Sequence, residues 1–189
     1  MRIIAGSARG RLIQAPRGQD TRPTQDYVRE SLFNILQREV PEARVLDLFA
    51  GSGALALEAL SRDAEQATLV DHAGEAITCI QRNLELLGFA QRATVIRAEW
   101  DVALARLASA GKTFTLVFLD PPYAMEDTGA QCNRLADLGL LSQGACVVVE
   151  HRREHTPTPD TRFALRSARR YGDTMIHFFE YPGGEASHA

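Results

Sequence analysis

The strongest constraint on the fold is a repeated alternation of short apolar segments with amphipathic segments between residues 44 and 150. The apolar segments have the length of β-strands, and residues at helical spacing follow the first four of them. The predicted strands span residues 44–49, 66–71, 93–97, 113–120 and 145–150. This alternation predicts an α/β fold with a mostly parallel, doubly wound, Rossmann-like sheet.

Both ends of the chain depart from this alternation. Residues 1–41 predict an N-terminal extension, made of a β-hairpin with a Gly-rich turn and a helix that Thr24 caps and Pro41 ends. Residues 163–171 and 175–181 predict a C-terminal antiparallel hairpin. We therefore expect a domain over residues 42–181, followed by a disordered tail over residues 182–189.

The composition excludes several classes of protein. No apolar stretch is long enough to span a bilayer, and residues 1–11 lack the apolar centre of a signal peptide. The three cysteines are too far apart for a disulfide framework or a zinc site, and the histidines have no metal-ligand spacing. We therefore expect a cytoplasmic protein without a bound metal.

The basic residues are unevenly distributed. The net charge is −3, and the basic residues are 20 arginines and a single lysine. Residues 1–30 hold six arginines against three acidic residues, and residues 151–172 hold six against two, so the rest of the chain is acidic. Guanidinium groups suit phosphates, which makes both segments candidates for contact with a nucleic acid. A genome that favours arginine throughout is the alternative explanation.

A glycine-rich loop follows the first predicted strand and opens a helix, which is the context in which such loops bind nucleotides. A tight turn without a ligand is the alternative. The carboxylate of Asp71 suits the hydroxyl groups of a ribose and equally suits capping of the next helix. Asp47 would repel a pyrophosphate and attract an ammonium group, which favours S-adenosylmethionine over a dinucleotide. The candidate cofactor contacts here are Asp47, Phe49, Ala50, Gly51, Ser52, Gly53, Asp71 and His72.

Two further pairs of residues are candidates for the same cofactor. Glu99 and Trp100 follow the third strand and suit the amino group and the ring of an adenine, with core packing as the alternative for Trp100. Arg22 and Thr24 lie where a helix begins, a position that attracts carboxylates and phosphates. They suit the methionine carboxylate or the backbone of an RNA, and a plain helix cap is the alternative.

A second motif, Asp120-Pro121-Pro122-Tyr123, ends the fourth strand. Because prolines lack N–H groups, the Asp120 carboxylate and the Pro121 carbonyl are acceptors without competing donors. Such a pair can hold both hydrogens of an exocyclic amino group, while Tyr123 offers a flat face for a base. The alternative is a surface turn.

Taken together, these motifs resemble those of the RsmD family, the bacterial 16S ribosomal-RNA guanine-N2 methyltransferases of the guanine 966 class. The resemblance covers residues 1–181. Its other segments lie at residues 1–6, 10–11, 21–24, 28–36, 58–62 and 171–174. This chain departs from the family pattern with Asp71 in place of Glu and with Ala98-Glu99-Trp100 in place of Gly-Asp-Ala.

The resemblance implies methyl transfer from S-adenosylmethionine to N2 of a guanine in 16S rRNA during assembly of the small ribosomal subunit, with the Asp120 motif as the catalytic residues. We expect a monomer that contacts RNA phosphates. The candidate phosphate contacts are Arg9, Arg11, Arg22, Arg152, Arg153, Arg169 and Arg170. Two alternatives remain: an adenine-N6 DNA methyltransferase, which shares the Asp-Pro-Pro-Tyr motif, and a non-catalytic ribosome-assembly factor.

Overall fold

A computed structural model describes residues 1–16, 23–122 and 128–183, except for the side chains of residues 23–25. The strands are β1 (Arg44–Asp47), β2 (Gln66–Asp71), β3 (Ala93–Arg97), β4 (Phe114–Leu119), β5 (Leu141–Arg152), β6 (Ala164–Tyr171) and β7 (Thr174–Tyr181). The helices are α1 (Pro23–Ile35), α2 (Ala54–Ser61), α3 (Gly74–Leu87), α4 (Trp100–Ser109) and α5 (Gly129–Asp137), with a 3₁₀ turn at Ala90–Arg92.

The strands form one sheet in the order β3-β2-β1-β4-β5-β7-β6. The first five strands are parallel to their neighbours, and β7 is antiparallel to both β5 and β6. The predicted Rossmann-like α/β fold with a C-terminal antiparallel hairpin is thereby confirmed. Separate apolar clusters cover the two faces of the sheet. Because β4 is buried along nearly its whole length, it has the continuous apolar sequence from which it was predicted.

Parallel strands bring their last residues to one edge of a sheet. We call this the carboxyl edge, at which β1, β2, β4 and the parallel part of β5 end. The turn between β6 and β7 lies at the same edge, because Thr174 at the start of β7 pairs with Arg152 at the end of β5. Ligands of open α/β sheets bind outside this edge, so the fold itself indicates where to look for a site.

The N-terminal hairpin is short: one antiparallel bridge joins Arg2 and Leu12, and the N–H groups of Ile3 and Ile13 donate to the carbonyls of Arg11 and Met1, both at 3.0 Å. Other backbone donors of this segment bond to helix α2. The N–H groups of Ile4 and Ala5 donate to the two oxygens of Glu58, at 2.8 and 3.0 Å. The N–H of Ala8 donates to Ser61 Oγ at 3.0 Å. We call residues 1–13, held in this way on the C-terminal half of α2, the N-terminal clamp.

Close packing in the clamp explains one of its glycines. Gly6 has a φ of +82°, and a Cβ atom at this position would lie 1.7 Å from the carbonyl oxygen of Ser61. No larger residue fits there without moving the backbone. Because Ser61 ends α2, this turn lies at the edge of the sheet opposite the carboxyl edge.

Helix α1 differs from its prediction at both ends. It begins at Pro23, so Thr24 lies inside the first turn and the prediction that Thr24 caps the helix is wrong. Proline suits the first helical position because the N–H that it lacks would have no partner there. The helix ends at Ile35, well before Pro41, and turns follow it. Phe33 packs on Phe118 of β4 with ring centroids 5.8 Å apart, which joins the extension to the main core.

No helix in the described ranges has both the length and the apolar character needed to cross a membrane.

Candidate active site at the carboxyl edge

The loop between β1 and α2 requires both of its glycines. Gly51 and Gly53 have φ values of 56° and 80°, in the left-handed region. A Cβ atom at Gly53 would also lie 3.0 Å from Leu69 Cδ2. The loop is tied down by a hydrogen bond from the N–H of Ala50 to the carbonyl of Val70, at 2.9 Å. It therefore presents its backbone at the carboxyl edge, as the sequence predicts.

Asp71 fixes this loop to the next βα connection. One carboxylate oxygen accepts the N–H of Gly51 and the other accepts the N–H of Ala73, both at 2.9 Å. Asp71 is not the N-cap of helix α3, which is Ala73, but it accepts the N–H of that residue and so orients the start of the helix. A carboxylate oxygen has two acceptor positions, so each retains capacity for a ligand hydroxyl.

Asp47 is buried beneath the loop, with 1% of its surface exposed. Burial raises the pKa of its carboxyl to about 7; the N–H of Ala56 counteracts this, and the charges of Asp120 and Asp71 add to it. These three carboxylates end neighbouring strands and repel one another. A cation bound at this edge would relieve the repulsion, although Asp47 itself does not line the cleft above it.

A cleft of about 340 Å³, partly open to solvent, lies beside the loop. It brings together five of the predicted cofactor residues, together with Pro122 of the second motif. Its lining consists of Leu48, Phe49, Asp71, His72, Ala98, Glu99, Trp100 and Pro122. Ala50 and Ser52 are buried behind it. Two candidates, Arg22 and the side chain of Thr24, lie outside the described part of the chain.

A second, shallow and open cleft also adjoins Pro122. Its lining is Pro121, Pro122, Thr128, Glu150, His151, Arg152 and His155. Asp120 is reached by solvent, yet the protein atoms packed around it raise the pKa of its carboxyl by desolvation. Tyr123, predicted to stack on a base, lies outside the described residues. The motif therefore separates two clefts.

Sequence reasoning did not find Glu150 as a site residue. The only signal for it is the strand register: Leu119 of β4 pairs with Val149 of β5, so Glu150 within β5 lies beside Asp120, which follows β4. His151, one of the histidines without metal-ligand spacing, is buried but borders the cleft. Its Nε2 lies 2.6 Å from Nδ1 of His177.

Comparison with known proteins identifies the family. The family described as conserved hypothetical protein 95 matches residues 1–180. The chain belongs to this family. It is the RsmD family that the motifs indicate.

Among its RsmD-family relatives, ribosomal RNA small subunit methyltransferase D of Escherichia coli (strain K12) is 37% identical over 181 residues, which cover 95% of this chain and 89% of the relative. YlbH of Bacillus subtilis (strain 168) is 38% identical over 185 residues, 97% of this chain and 100% of the relative. The solved structure of yhhF from Escherichia coli superposes with a TM-score of 0.86 at 36% identity, covering 97% of this chain and 99% of that chain.

The two arginine-rich segments of this RsmD-family chain lie in different places. Arg152 ends β5, and Arg153 follows it and donates its N–H to Asp173 in the β6–β7 turn, at 3.2 Å. Arg169 and Arg170 lie near the end of β6. All four are exposed at the carboxyl edge, on the side of the second cleft.

Arg9 and Arg11 lie away from that edge. Arg9 belongs to the clamp turn packed on the end of α2, and the Arg11 guanidinium donates to the carbonyl of Leu86 in the last turn of α3. Helices α2 and α3 both end where the next strands begin, opposite the carboxyl edge. The structure therefore separates these two arginines from the four described above.

Proposed function

We propose that the protein transfers a methyl group from S-adenosylmethionine to the exocyclic N2 of a guanine in 16S rRNA, in the guanine 966 class. One observation carries the proposal: Pro122 borders two adjoining clefts, so that a cofactor and a base can meet across the Asp120 motif. The name of the Escherichia coli relative, a small-subunit rRNA methyltransferase, supports rRNA as the substrate.

The residues of the first cleft suit S-adenosylmethionine. The glycine loop allows close approach of a ligand, Asp71 has acceptor capacity for a ribose, and Trp100 offers a ring beside an adenine. The cofactor carries no phosphate and a positive sulfonium, which matches an edge where Asp47, Asp71 and Asp120 repel one another. When bound, it would supply an electrophilic methyl group.

Asp120 and Pro121 would orient the amine that accepts the methyl group. The N2 lone pair of guanine is conjugated with the ring and is a poor nucleophile. When the Asp120 carboxylate and the Pro121 carbonyl accept both N–H bonds, the lone pair points toward the methyl group, so the gain comes from positioning and electrostatics. The methylated nitrogen then loses its extra proton to Asp120, whose pKa is already raised by its surroundings.

The RNA would approach over Arg152, Arg153, Arg169 and Arg170 at the carboxyl edge, of which Arg152 lines the base cleft. Its target guanine would leave its stack and enter the second cleft, with Tyr123 as the proposed stacking partner. We propose that this takes place in the cytoplasm, on a partly assembled small subunit, with the enzyme as a monomer.

Asp120→Ala tests the chemistry directly. We expect at least about a hundredfold loss of methyl transfer to small-subunit particles, because the amine loses its orienting acceptor. Calorimetry should show S-adenosylmethionine binding that is retained, since the first cleft is intact. Asp101→Ala, the same change at an exposed position of α4, serves as the control. Full activity of Asp120→Ala would overturn the assignment.

The methylated atom requires a separate measurement. Mass mapping of 16S rRNA after reaction should place the new methyl group on N2 of one guanine. Methylation of adenine in DNA, or no turnover on any assembly intermediate, would instead support one of the two alternative functions considered from the sequence.

A further inference from the structure

Glu150 and Asp120 lie side by side although thirty residues separate them in the chain. Leu119 of β4 pairs with Val149 of β5, so Asp120 and Glu150 follow the last paired residues of neighbouring parallel strands. Residues in register on such strands project from the same face, with the strands about 5 Å apart. Burial, and then the negative charge of Asp120, raises the pKa of the Glu150 carboxyl.

The surroundings of Glu150 leave its carboxylate available. It is half-buried in the lining of the second cleft, and within the described residues it has no hydrogen bond or ion pair. The adjacent His151 does not compensate its charge, because its ring nitrogens contact the carbonyl of Arg152 at 2.7 Å and His177 at 2.6 Å. A half-buried carboxylate without a donor is unfavourable, and a donor on a ligand would stabilise it.

We propose that the Glu150 carboxylate accepts the N1–H hydrogen of the target guanine and thereby selects guanine over adenine. This specificity role rests on the guanine-N2 function proposed above. Glu150 is placed for it by its position in the cleft that Pro121 and Pro122 also line. Asp120 and Pro121 hold the amino group, and Glu150 bonds to the hydrogen on the neighbouring ring nitrogen, N1.

Guanine and adenine differ at N1, the ring atom that Glu150 would contact, and this difference allows Glu150 to distinguish them. In guanine, the amino group on C2 lies beside N1, which carries a hydrogen and is a donor. In adenine, the amino group on C6 lies beside an N1 that has only a lone pair. The Asp-Pro-Pro motif can hold either amino group. The Glu150 carboxyl has a pKa of about 8, so it discriminates when it is ionised. The ionised form bonds to the N1–H of guanine, which stabilises the charge, and it repels the N1 lone pair of adenine, so it supplies discrimination that the motif lacks.

The test compares guanine with 2-aminopurine at the methylated position of 16S rRNA in reconstituted small-subunit particles, at about pH 8.5, above the raised pKa of Glu150. 2-Aminopurine keeps the amino group on C2 but has a lone pair at N1 in place of the N1–H. For the wild-type enzyme we expect kcat/KM to be about a hundredfold or more higher on guanine. For Glu150→Gln, whose amide can donate to the lone pair, we expect this ratio to fall at least tenfold, with an absolute gain on 2-aminopurine.

Two further variants serve as controls for the role of Glu150. Glu154→Gln removes the same charge at an exposed residue outside the cleft lining, and it should keep the wild-type ratio. Glu150→Asp keeps the carboxylate and should keep the preference for guanine, even if the overall rate falls. A wild-type ratio in Glu150→Gln would overturn the role of Glu150 alone. If the wild-type enzyme methylated no guanine N2, both this role and the proposed function would be overturned.

Discussion

The buried carboxylate beneath the N-terminal clamp and the buried carboxylate at the carboxyl edge have opposite surroundings. Beneath the clamp, Glu58 of α2 is fully buried and accepts the N–H of Ile4, the N–H of Ala5 and the Nε–H of Arg62. At the carboxyl edge, Asp47 is as deeply buried but has no cationic partner among the described residues.

The difference separates residues that hold the fold together from residues that await a ligand. A buried carboxylate surrounded by donors fixes the segments that supply those donors. A buried carboxylate without a cation has a raised pKa and makes the folded state less stable, a cost that a bound cation or donor would offset. Substitutions in the two regions should therefore change stability in opposite directions.

The largest effect is expected for Glu58→Ala in the clamp. Removing this carboxylate leaves the N–H groups of Ile4 and Ala5 and the Nε–H of Arg62 without their acceptor, and it removes the ion pair with Arg29 at 3.7 Å. We expect the free energy of unfolding to fall by about 3–5 kcal/mol, as measured by urea unfolding. Glu65→Ala, at an exposed position, is the control and should change it by less than about 0.5 kcal/mol. A loss as small as that of the control would contradict a structural role for Glu58.

Asp47→Asn should have the opposite sign. The folded-state pKa of Asp47 is about 7, above its ordinary value of 3.8. Between these values the folded state binds more protons than the unfolded state, so stability falls as pH rises. The asparagine side chain carries no charge, so the variant without cofactor should be more stable than wild type at about pH 8, by up to about 4 kcal/mol, and equal to it near pH 4.

The same variant should bind S-adenosylmethionine more weakly, because an attractive negative charge is lost at the cofactor edge. Urea unfolding across this pH range measures the first effect and calorimetry measures the second. Asp101→Asn, an exposed control on α4, should show neither. Destabilisation of Asp47→Asn at about pH 8 would show that the Asp47 charge is compensated, and would remove the contrast with Glu58.

The next prediction concerns the arginines of the two regions. Replacing Arg152, Arg153, Arg169 and Arg170 together by alanine should weaken binding to small-subunit RNA about a hundredfold or more, because the four are exposed at the carboxyl edge, where Arg152 lines the base cleft. The slope of log affinity against log salt should fall in magnitude by about three, since each phosphate contact contributes about 0.7–0.9.

Arg9→Ala combined with Arg11→Ala is the matched control for that variant. Both residues lie away from the carboxyl edge, so we expect affinity within about twofold of wild type and an unchanged salt slope. Equal losses in the two variants would show that the RNA wraps around the clamp as well, and would make the two regions functionally alike.

The sequence alone was sufficient to predict the features that depend on residues next to one another in the chain. The alternation of strands and helices, the glycine loop and the Asp120 motif are contiguous patterns, and the fold they predict is confirmed. Charge clustering carried less information: residues 1–30 and 151–172 are similarly rich in arginine, but Arg9 and Arg11 lie away from the carboxyl edge while Arg152, Arg153, Arg169 and Arg170 lie at it. Glu150 has no motif at all: only the register of β4 and β5 brings it beside Asp120.

The smallest effect is expected at Tyr27, where the extension itself reaches the carboxyl edge. Tyr27 of α1 is 65% exposed and packs edge-on against Tyr171, which ends β6, with ring centroids 6.5 Å apart. An exposed aromatic ring on the same side as the four arginines suits a base of the RNA, and Tyr27→Ala should weaken RNA binding about fivefold through lost stacking.

Because the tyrosine side chain adds no positive charge, the slope of log affinity against log salt should not change in Tyr27→Ala. Leu12→Ala replaces an equally exposed clamp residue and should leave the affinity unchanged. If both variants bound RNA as wild type does, the extension would contribute to the fold alone, and the RNA surface would be confined to β5, β6 and the turn that follows β6.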